Sequence, residues 1–431
     1  MGEPYWASED GDVALYLGKC EEVLRALPEA SIDACVTDPP YGLSELSRKQ
    51  VEKALTAWLS GDRLHVPDGR GFMGAEWDKF VPPPGAWDEV YRVLKPGAYL
   101  LAFCAPRTYD LMGLSIRLAG FEIQDSIDWI FGQGWPKGRG RLKPAHEPVI
   151  LAWKSAKNAT EFPGLDACRV NPGSPVPGGG GLLGGAASRR EGWRRDAHLA
   201  GEPTAPHDDG RWPPNVVLSH AEACAYLGVK RVRGITGGTG HHKNSIYGKL
   251  SYDEGAPVKD YADADGMETV EAWDCADGCP VAALDRQSGV LTSGANPARR
   301  SSDKTRDAYG KFEGQAECTV YRGADSGGAS RFFPVFRYEA KAPTSERPRL
   351  ADGTAWSTVK PLGFMRWAAR LVIPQGGTCL DPFGGTFTTA EACIIEGFRC
   401  IAIDRDETAL QLGMERLHKP IQPAMFGLEA S

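Results

Sequence analysis

Between residues 12 and about 153, runs of apolar residues typical of strands alternate with stretches whose apolar spacing is typical of helices. Such a succession is typical of an open α/β sheet, in which strands alternate with helices along the chain. Buried strands are predicted at 12–17, 31–37, 98–105, 122–131 and 147–154. Helices are predicted at 21–27, 87–94 and 111–120.

The same alternation returns after about residue 331. A helix at 363–373 leads to a short strand at 378–380, and a second helix at 388–397 precedes a strand that ends at Asp404. A final helix carries Ala409, Leu412, Met414 and Leu417. Because each end of the chain holds only part of a sheet, we expect the two ends to build one domain together.

The stretch between them, from about 155 to 329, has a different texture. It is dense in Gly, Pro, Asp and Arg and shows little periodicity. This composition predicts a loop-rich insertion. The predicted boundaries are 1–154 for the first half of the α/β domain, 155–330 for the inserted region and 331–431 for the second half.

Composition narrows the class of protein. The 431 residues are 42% hydrophobic and 24% charged, so the chain can bury a core and is not a disordered acidic tail. A net charge of −7 argues against a uniformly basic nucleic-acid-binding surface, although a local basic patch is compatible with it.

The 11 cysteines are an odd number, and several lie in apolar runs, which predicts buried, reduced thiols. No apolar run approaches the ~18 residues of a membrane span and the N-terminus is polar, so we expect neither a membrane span nor a signal peptide.

A candidate ligand site lies in the C-terminal region, where a strand, a carboxylate, a glycine turn and a helix follow one another. The turn reads Asp381, Pro382, Phe383, Gly384, Gly385 and Thr386. Paired glycines permit close approach of a ligand to the backbone, and the helix start leaves N–H groups unpaired. About 20 residues further on, a strand ends at Asp404, the spacing at which a carboxylate binds ribose hydroxyls. Glycine after a strand is often only a turn, but the two carboxylates favour a site for a nucleoside-containing cofactor. A triphosphate is not expected, because the turn lacks a Walker lysine.

The most specific segment follows the predicted strand 31–37 and consists of Asp38, Pro39, Pro40 and Tyr41. The prolines stiffen the loop. They leave the Pro39 carbonyl free to accept a hydrogen bond, while Asp38 offers a second acceptor and Tyr41 an aromatic face. Two acceptors beside a ring suit the exocyclic amine of a planar base. For a bare Pro-Pro-Tyr sequence a rigid turn is the usual explanation, but Asp38 at a strand end favours amine binding.

The DPPY tetrad and the segment DPFGGTFTT together resemble the amino-methylating DNA methyltransferases that use S-adenosylmethionine. In that family the DPPY motif holds the target amine and the DPF-x-G motif binds the cofactor. Here DPPY comes first, an order similar to the β group, whose intervening segment is the target-recognition domain. The segment 357–361 resembles the family's HPT-x-KP cofactor motif. This resemblance adds Thr358, Lys360 and Pro361 to the implied cofactor site.

The resemblance implies a Rossmann-like methyltransferase fold, with a mostly parallel sheet and helices on both faces. It also implies direct methyl transfer to an amine held by Asp38 and the Pro39 carbonyl, with the base stacked on Tyr41. The chain departs from the family at Phe387, where a second glycine is usual. It departs again at residues 356–357, where His-Pro is common, and at Lys19, where an acid is frequent.

The form of the tetrad indicates which target base the resemblance favours. DPPY is commoner among the adenine-N6 enzymes of the family and SPPY among the N4-cytosine enzymes, so adenine N6 is preferred and N4-cytosine is the alternative. A C5-cytosine enzyme would carry a Pro-Cys pair, and the sequence has none. Less favoured alternatives are an RNA-base or protein-amide methyltransferase, whose cofactor motif normally comes first, and a non-catalytic DNA-binding relative.

A basic, glycine-containing segment before the predicted strand 147–154 is a candidate DNA contact. Its cations are Lys137, Arg139, Arg141 and Lys143. Cations of this kind neutralise phosphates, although a solvated surface loop has the same composition.

The inserted region also holds two closely spaced pairs of soft ligands. His220 and Cys224 form an H-x3-C pair, and Cys275 and Cys279 form a C-x3-C pair. Such pairs suit tetrahedral zinc, which would stabilise a region with a poor apolar core. The alternative is unrelated thiols and a surface histidine.

The expected partner is double-stranded DNA rather than a membrane, in the cytoplasm of a prokaryote or of a phage-infected cell. A homodimer and a companion restriction endonuclease stay open as further partners.

Overall fold

The structure is a computed structural model. It describes residues 2–44, 46–69, 71, 76–131, 142, 144–156, 162–170, 212–221, 223–233, 267–293, 325–336, 348–354, 356 and 359–418.

Strands and helices are numbered in chain order. The strands are β1 (Trp6–Ala7), β2 (Val13–Leu17), β3 (Ile32–Thr37), β4 (Leu94–Phe103), β5 (Glu122–Ile130), β6 (His146–Trp153), β7 (Val216–Ser219), β8 (Ala225–Arg233), β9 (Met267–Asp274), β10 (Leu291–Ser293), β11 (Asp325–Gly327), β12 (Val335–Phe336), β13 (Thr378–Asp381) and β14 (Arg399–Asp404). The helices are α1 (Cys20–Leu24), α2 (Arg48–Leu59), α3 (Pro84–Val93), α4 (Tyr109–Leu118), α5 (Pro280–Ser288), α6 (Leu362–Val372), α7 (Thr388–Glu396) and α8 (Glu407–Leu417).

Within the described part of the chain, ten strands form one sheet in the order β1-β2-β14-β13-β3-β4-β6-β5-β7-β12. Most neighbours are parallel, while β1 is antiparallel to β2 and β6 is antiparallel to both β4 and β5. Strands from both ends of the chain alternate at the centre, where β13 pairs with β3 and β14 pairs with β2. The two ends of the chain therefore build this sheet together.

The central strands are continuous apolar runs because both faces of the sheet are covered. In β3, five of the six residues from Ile32 to Thr37 are buried. Helices α1–α4 pack on one face, with Trp87 and Met112 fully buried there. Helices α6–α8 pack on the other face, with Trp367 and Leu410 in its core. The α/β class, with a mostly parallel sheet and helices on both faces, is confirmed.

Helix α2 is not anticipated by the hydrophobic pattern, yet the sequence contains a signal for it. The side chain of Ser47 accepts a hydrogen bond from the backbone of Gln50, whose side chain accepts one from the backbone of Ser47. This capping box satisfies N–H groups that a helix start leaves without partners.

The range predicted as an insertion is more regular than its composition indicates. Strand β7 lies inside it and joins the main sheet beside β5. The antiparallel pair β8–β9 and helix α5 lie in the same range. The boundaries of the inserted region stay a prediction, with β7 belonging to the sheet.

The ten described cysteines are all free thiols. Among the described helices, none has the length and apolar character needed to cross a bilayer.

Phe387 shows how the helices fix the turn after β13. The residue precedes α7 and adopts a left-handed conformation, with φ of +58°, which normally favours glycine. Its ring is completely buried. A Cβ added at Gly384 would lie 2.4 Å from this ring, and one at Gly413 in α8 would lie 2.2 Å from it. The two glycines therefore leave the space that the ring fills, and this packing offsets the unfavourable φ angle.

We expect Gly413→Ala to lower the free energy of unfolding by about 1–3 kcal/mol, because the added methyl group overlaps a buried ring. Urea denaturation of the full chain measures this change. Gly363→Ala in α6 is the matched control, since a Cβ there meets its nearest neighbour at an ordinary 3.7 Å. The control should be neutral or slightly stabilising. Equal stability of the two variants would contradict the packing described for Phe387.

Candidate active site

The two motifs meet at the carboxyl edge of the sheet. Strands β3 and β13 are parallel neighbours, so their last residues lie side by side. The Thr37 hydroxyl donates a hydrogen bond of 2.7 Å to Oδ1 of Asp381, although the two residues are 344 positions apart. The DPPY tetrad, which follows Thr37 directly, and the turn after Asp381 therefore lie at one place.

Asp381 is almost completely buried and held from several sides. Its Oδ2 accepts a 2.6 Å hydrogen bond from the Thr389 hydroxyl, and its Oδ1 accepts one of 3.2 Å from the backbone N–H of Phe383. Burial raises the pKa of Asp381 to about 7, against the opposing effect of the Thr389 and Thr37 hydrogen bonds. A positive charge that approaches this edge would favour the ionised form.

The glycine turn is tied to the neighbouring strand through Asp404. Oδ2 of Asp404 accepts a 2.8 Å hydrogen bond from the backbone N–H of Gly385, and Oδ1 accepts one of 2.9 Å from that of Asp406. Burial raises the pKa of Asp404. Each carboxylate oxygen retains a second lone pair, so Asp404 can accept further hydrogen bonds from a ligand.

The tetrad carries a compact cluster of charges. Oδ1 of Asp38 accepts a 2.6 Å hydrogen bond from the Tyr41 hydroxyl, and Oδ2 lies 2.8 Å from Nζ of Lys360. Nζ of Lys360 also lies 2.9 Å from Oε1 of Glu147 and 2.9 Å from the Tyr41 hydroxyl oxygen. The Tyr41 hydroxyl also contacts Glu147. One cation thus lies between two carboxylates, and both Asp38 oxygens have a donor.

This environment fixes the protonation of two members of the cluster. Burial alone would lower the pKa of Lys360, but the adjacent carboxylates of Asp38 and Glu147 outweigh it and raise the pKa above its usual value. Burial, and then the charges of the same two carboxylates, raise the pKa of Tyr41 well above its usual value. Lys360 is therefore charged and Tyr41 is a neutral hydroxyl at neutral pH.

The loop behind the tetrad is anchored by side chains from other elements. The Thr108 hydroxyl donates a 2.6 Å hydrogen bond to the Tyr41 carbonyl, and Oδ1 of Asp78 accepts one of 2.7 Å from the backbone N–H of Gly42. Gly42 has φ of +64°, and a Cβ there would lie 2.9 Å from the backbone of Phe80. Glycine is required at this position because of both its conformation and its close packing.

The predicted site residues are distributed as follows. The tetrad lies beside the Asp381 turn, and Asp404 at the end of β14 contacts that turn from the other side. Nζ of Lys360, which the resemblance assigns to the cofactor site, contacts Asp38, and Pro361 directly precedes α6. Thr358 and the four basic residues predicted to contact DNA lie outside the described residues.

Sequence reasoning missed Glu147, Asp78 and Thr108. Glu147 stands near the start of β6, and only the reversed direction of this strand brings a strand start to the carboxyl edge of its neighbours. Its signal in the sequence is an acid that opens an apolar strand run, which is too common to single out.

The four predicted zinc ligands come together at the far end of the sheet. Their ligand atoms, from His220, Cys224, Cys275 and Cys279, all lie within 4.8 Å of one another.

The main site combines two capabilities. The Asp404 side presents a glycine turn and a carboxylate that retains free lone pairs, as a ribose-bearing ligand requires. The Asp38 side presents a carboxylate and a neutral hydroxyl that can exchange their partners for the N–H groups of an amine. An electrophile bound on the first side would therefore face a nucleophile held on the second.

Most of the chain is similar to a known protein family. The N6/N4 DNA methylase family model matches residues 32–415. The Type II methyltransferase M.HpaI of Haemophilus parainfluenzae is 29% identical over 162 residues, which are 37% of this chain and 44% of that protein. The chain spans about half the length of the curated relatives it matches.

Two solved structures are more distant in sequence. The M1.HpyAVI–SAM complex is 12% identical, with 94% of this chain and 99% of that chain covered, at a TM-score of 0.36. The PvuII DNA methyltransferase, which is cytosine-N4-specific, is 13% identical, with 96% and 89% covered, at a TM-score of 0.40.

We expect Lys360→Met to lower the free energy of unfolding by about 3–5 kcal/mol, because Asp38 and Glu147 lose the cation between them. Adding Glu147→Gln should restore part of this loss, because it removes one of the two facing charges. Denaturant titration of the single and double variants gives the coupling energy. The matched control is Lys95→Met, which breaks a more exposed pair with Asp33 and should cost less than about 1 kcal/mol. A double variant no more stable than Lys360→Met would contradict the charge arrangement.

Proposed function

The chain belongs to the N6/N4 DNA methylase family, and on that premise we propose that it transfers a methyl group from S-adenosylmethionine to the exocyclic amine of a base in DNA, with adenine N6 as the target. The observation that carries this proposal is the 2.7 Å hydrogen bond between Thr37 and Asp381. It holds the DPPY tetrad and the glycine turn at one sheet edge, which supports group transfer between a molecule bound at each.

The glycine turn fits a cofactor of this kind. Among the described residues, a Cβ added at Gly385 would meet only Trp356, at 3.9 Å, so these residues leave room for a ligand on this side of the turn. Asp404 would bind the ribose hydroxyls with its remaining lone pairs. When bound, S-adenosylmethionine supplies an electrophilic methyl group on a sulfonium cation. This positive charge would stabilise the ionised form of Asp381, whose pKa is about 7 without it.

The tetrad would prepare the nucleophile. An aromatic amine is a poor nucleophile because its lone pair is delocalised into the ring. Hydrogen bonds from its N–H groups to Asp38 and the Pro39 carbonyl would favour a pyramidal nitrogen and orient its lone pair toward the methyl group. Transfer is then direct, and the site contributes positioning and electrostatics rather than a covalent intermediate.

An arriving amine would have to replace a hydrogen-bond donor that Asp38 already has. Both Asp38 oxygens already accept hydrogen bonds, from the Tyr41 hydroxyl and from Lys360. An amine that binds Asp38 therefore exchanges one donor for another, and the carboxylate stays satisfied throughout. Movement of Tyr41 away from Asp38 would also free its ring to stack on the base.

The substrate in this proposal is double-stranded DNA in the cytoplasm. A base inside the duplex cannot reach Asp38, so it has to leave the stack, at a cost of a few kcal/mol. The DPPY form of the tetrad supports adenine, while the acceptor chemistry alone suits N4 of cytosine equally well, because both bases present an NH₂ group.

Substitutions of two aspartates should distinguish the methyl-transfer step from cofactor binding. We expect Asp38→Ala to reduce methyl transfer by about 10³-fold or more while S-adenosylmethionine still binds. Asp404→Ala should instead weaken cofactor binding by about 10- to 100-fold. Calorimetric titration and transfer of a tritiated methyl group to DNA measure the two effects. The control is Asp110→Asn, an exposed acid in α4, which should change neither quantity. Retained transfer by Asp38→Ala would remove the basis of the assigned role.

The proposed function itself is tested by expression of the chain in methylation-free bacterial cells, followed by long-read sequencing that detects modified bases. We expect N6-methyladenine at one short recurrent sequence, and no modification from the Asp38→Ala variant. N4-methylcytosine would overturn the choice of base only. If DNA stays unmodified while purified protein methylates RNA or a protein amide, the assignment of DNA as substrate fails.

A further inference from the structure

A second cluster of reactive side chains lies away from the active site. His220 follows β7 and Cys224 precedes β8, while Cys275 follows β9 and Cys279 directly precedes α5. Four segments of the chain thus each contribute one soft ligand atom, and these atoms lie within 4.8 Å of one another. Three of the four residues are buried and Cys275 is partly buried.

Two nitrogen–sulfur distances within the cluster match the edge of a tetrahedral metal site. Nδ1 of His220 lies 3.5 Å from Sγ of Cys275 and 3.6 Å from Sγ of Cys279. Zinc bonds of ~2.0–2.1 Å to nitrogen and ~2.3 Å to sulfur give a nitrogen–sulfur edge of about 3.6 Å in a tetrahedron. Hydrogen bonding explains the arrangement less well, because Nδ1 has either one lone pair or one N–H and can serve only one sulfur well.

Neighbouring groups contact two of the four side chains and hold them in place. The backbone N–H of Ala276 donates a 3.3 Å hydrogen bond to Sγ of Cys224. The His220 ring stacks on Trp273, with 4.2 Å between ring centroids. An oriented histidine and N–H···S contacts are outer interactions that metal sites commonly use to fix their ligands.

Among the described residues, the apolar core around the cluster has five buried members, and partly buried side chains such as Trp273 and Leu284 pack against them. The buried members are Leu218, Ala221, Cys224, Cys279 and Val281. Two of these five are themselves proposed ligands. A metal that joins all four segments would add its binding free energy to this packing.

We propose that His220, Cys224, Cys275 and Cys279 bind one zinc ion that fixes the β8–β9 pair and α5 to the β7 end of the sheet. Zinc suits this site because it prefers tetrahedral coordination by thiolate and imidazole ligands. All four positions are filled by protein ligands, so the ion leaves no open position for substrate and its role is structural. This inference is independent of the proposed methyl transfer.

Metal analysis of the full chain, purified without chelator and without a metal-affinity step, tests the proposal. We expect one zinc ion per chain and its loss in the Cys275→Ser/Cys279→Ser variant. The matched control is Cys168→Ser, which alters a buried cysteine outside the cluster and should leave the zinc content unchanged. Native protein without zinc that also fails to bind added zinc, or unchanged zinc in the double variant, would overturn the proposal.

A second measurement does not depend on the folding of the serine variants. Cobalt(II) exchanged into the native protein should give the intense thiolate charge-transfer absorption of a tetrahedral site. His220→Cys keeps four ligands and should retain the metal with stronger thiolate absorption, whereas His220→Ala should bind it more weakly. A weak octahedral spectrum, or a disulfide between any two of the three cysteines in unreduced native protein, would contradict a closed zinc site.

Discussion

The parallel pairing of β3 with β13, completed by the hydrogen bond from Thr37 to Asp381, is the constraint on which the active site depends. Parallel strands align their carboxyl ends, and each of these two strands runs straight into a motif. Asp381 is buried, so its oxygens need hydrogen-bond donors, and Thr37 and Thr389 supply them from β3 and α7. The strand pairing and the hydrogen bonds of this carboxylate thus require the same alignment of β3 with β13. Parts of the chain that are distant in sequence therefore meet within one sheet.

A second constraint is charge. Asp38 and Glu147 both face the interior of the site, and Lys360 is the cation that lies between them. Nζ of Lys360 lies within 2.9 Å of an oxygen of each carboxylate, so its charge offsets the repulsion between them. Asp404 at the end of β14 is also held by hydrogen-bond donors, since the backbone N–H groups of Gly385 and Asp406 donate to its oxygens.

The features that could be predicted from the sequence are those that depend on residues contiguous in the chain. Continuous apolar runs mark the central strands, and the tetrad and the glycine turn are each local motifs. Glu147 could not be predicted, because its place depends on the reversal of β6 and thus on sheet topology. The left-handed Phe387 could be recognised only as a departure from a glycine, since the space for its ring is left by Gly384 in the turn and by Gly413 in the distant helix α8. The cysteine pairs were visible by their spacing, but their convergence depends on how β8 and β9 pair.

The reversal of β6 has a mechanical consequence. Strand β5 ends and β6 begins at the carboxyl edge of the central strands, where Ile130 pairs with His146 and the N–H of Phe131 donates to the carbonyl of Ala145. Both ends of the intervening chain are thus fixed on one strand pair, next to Glu147. Insertions or deletions between these two ends would therefore leave Glu147 in its place beside Lys360.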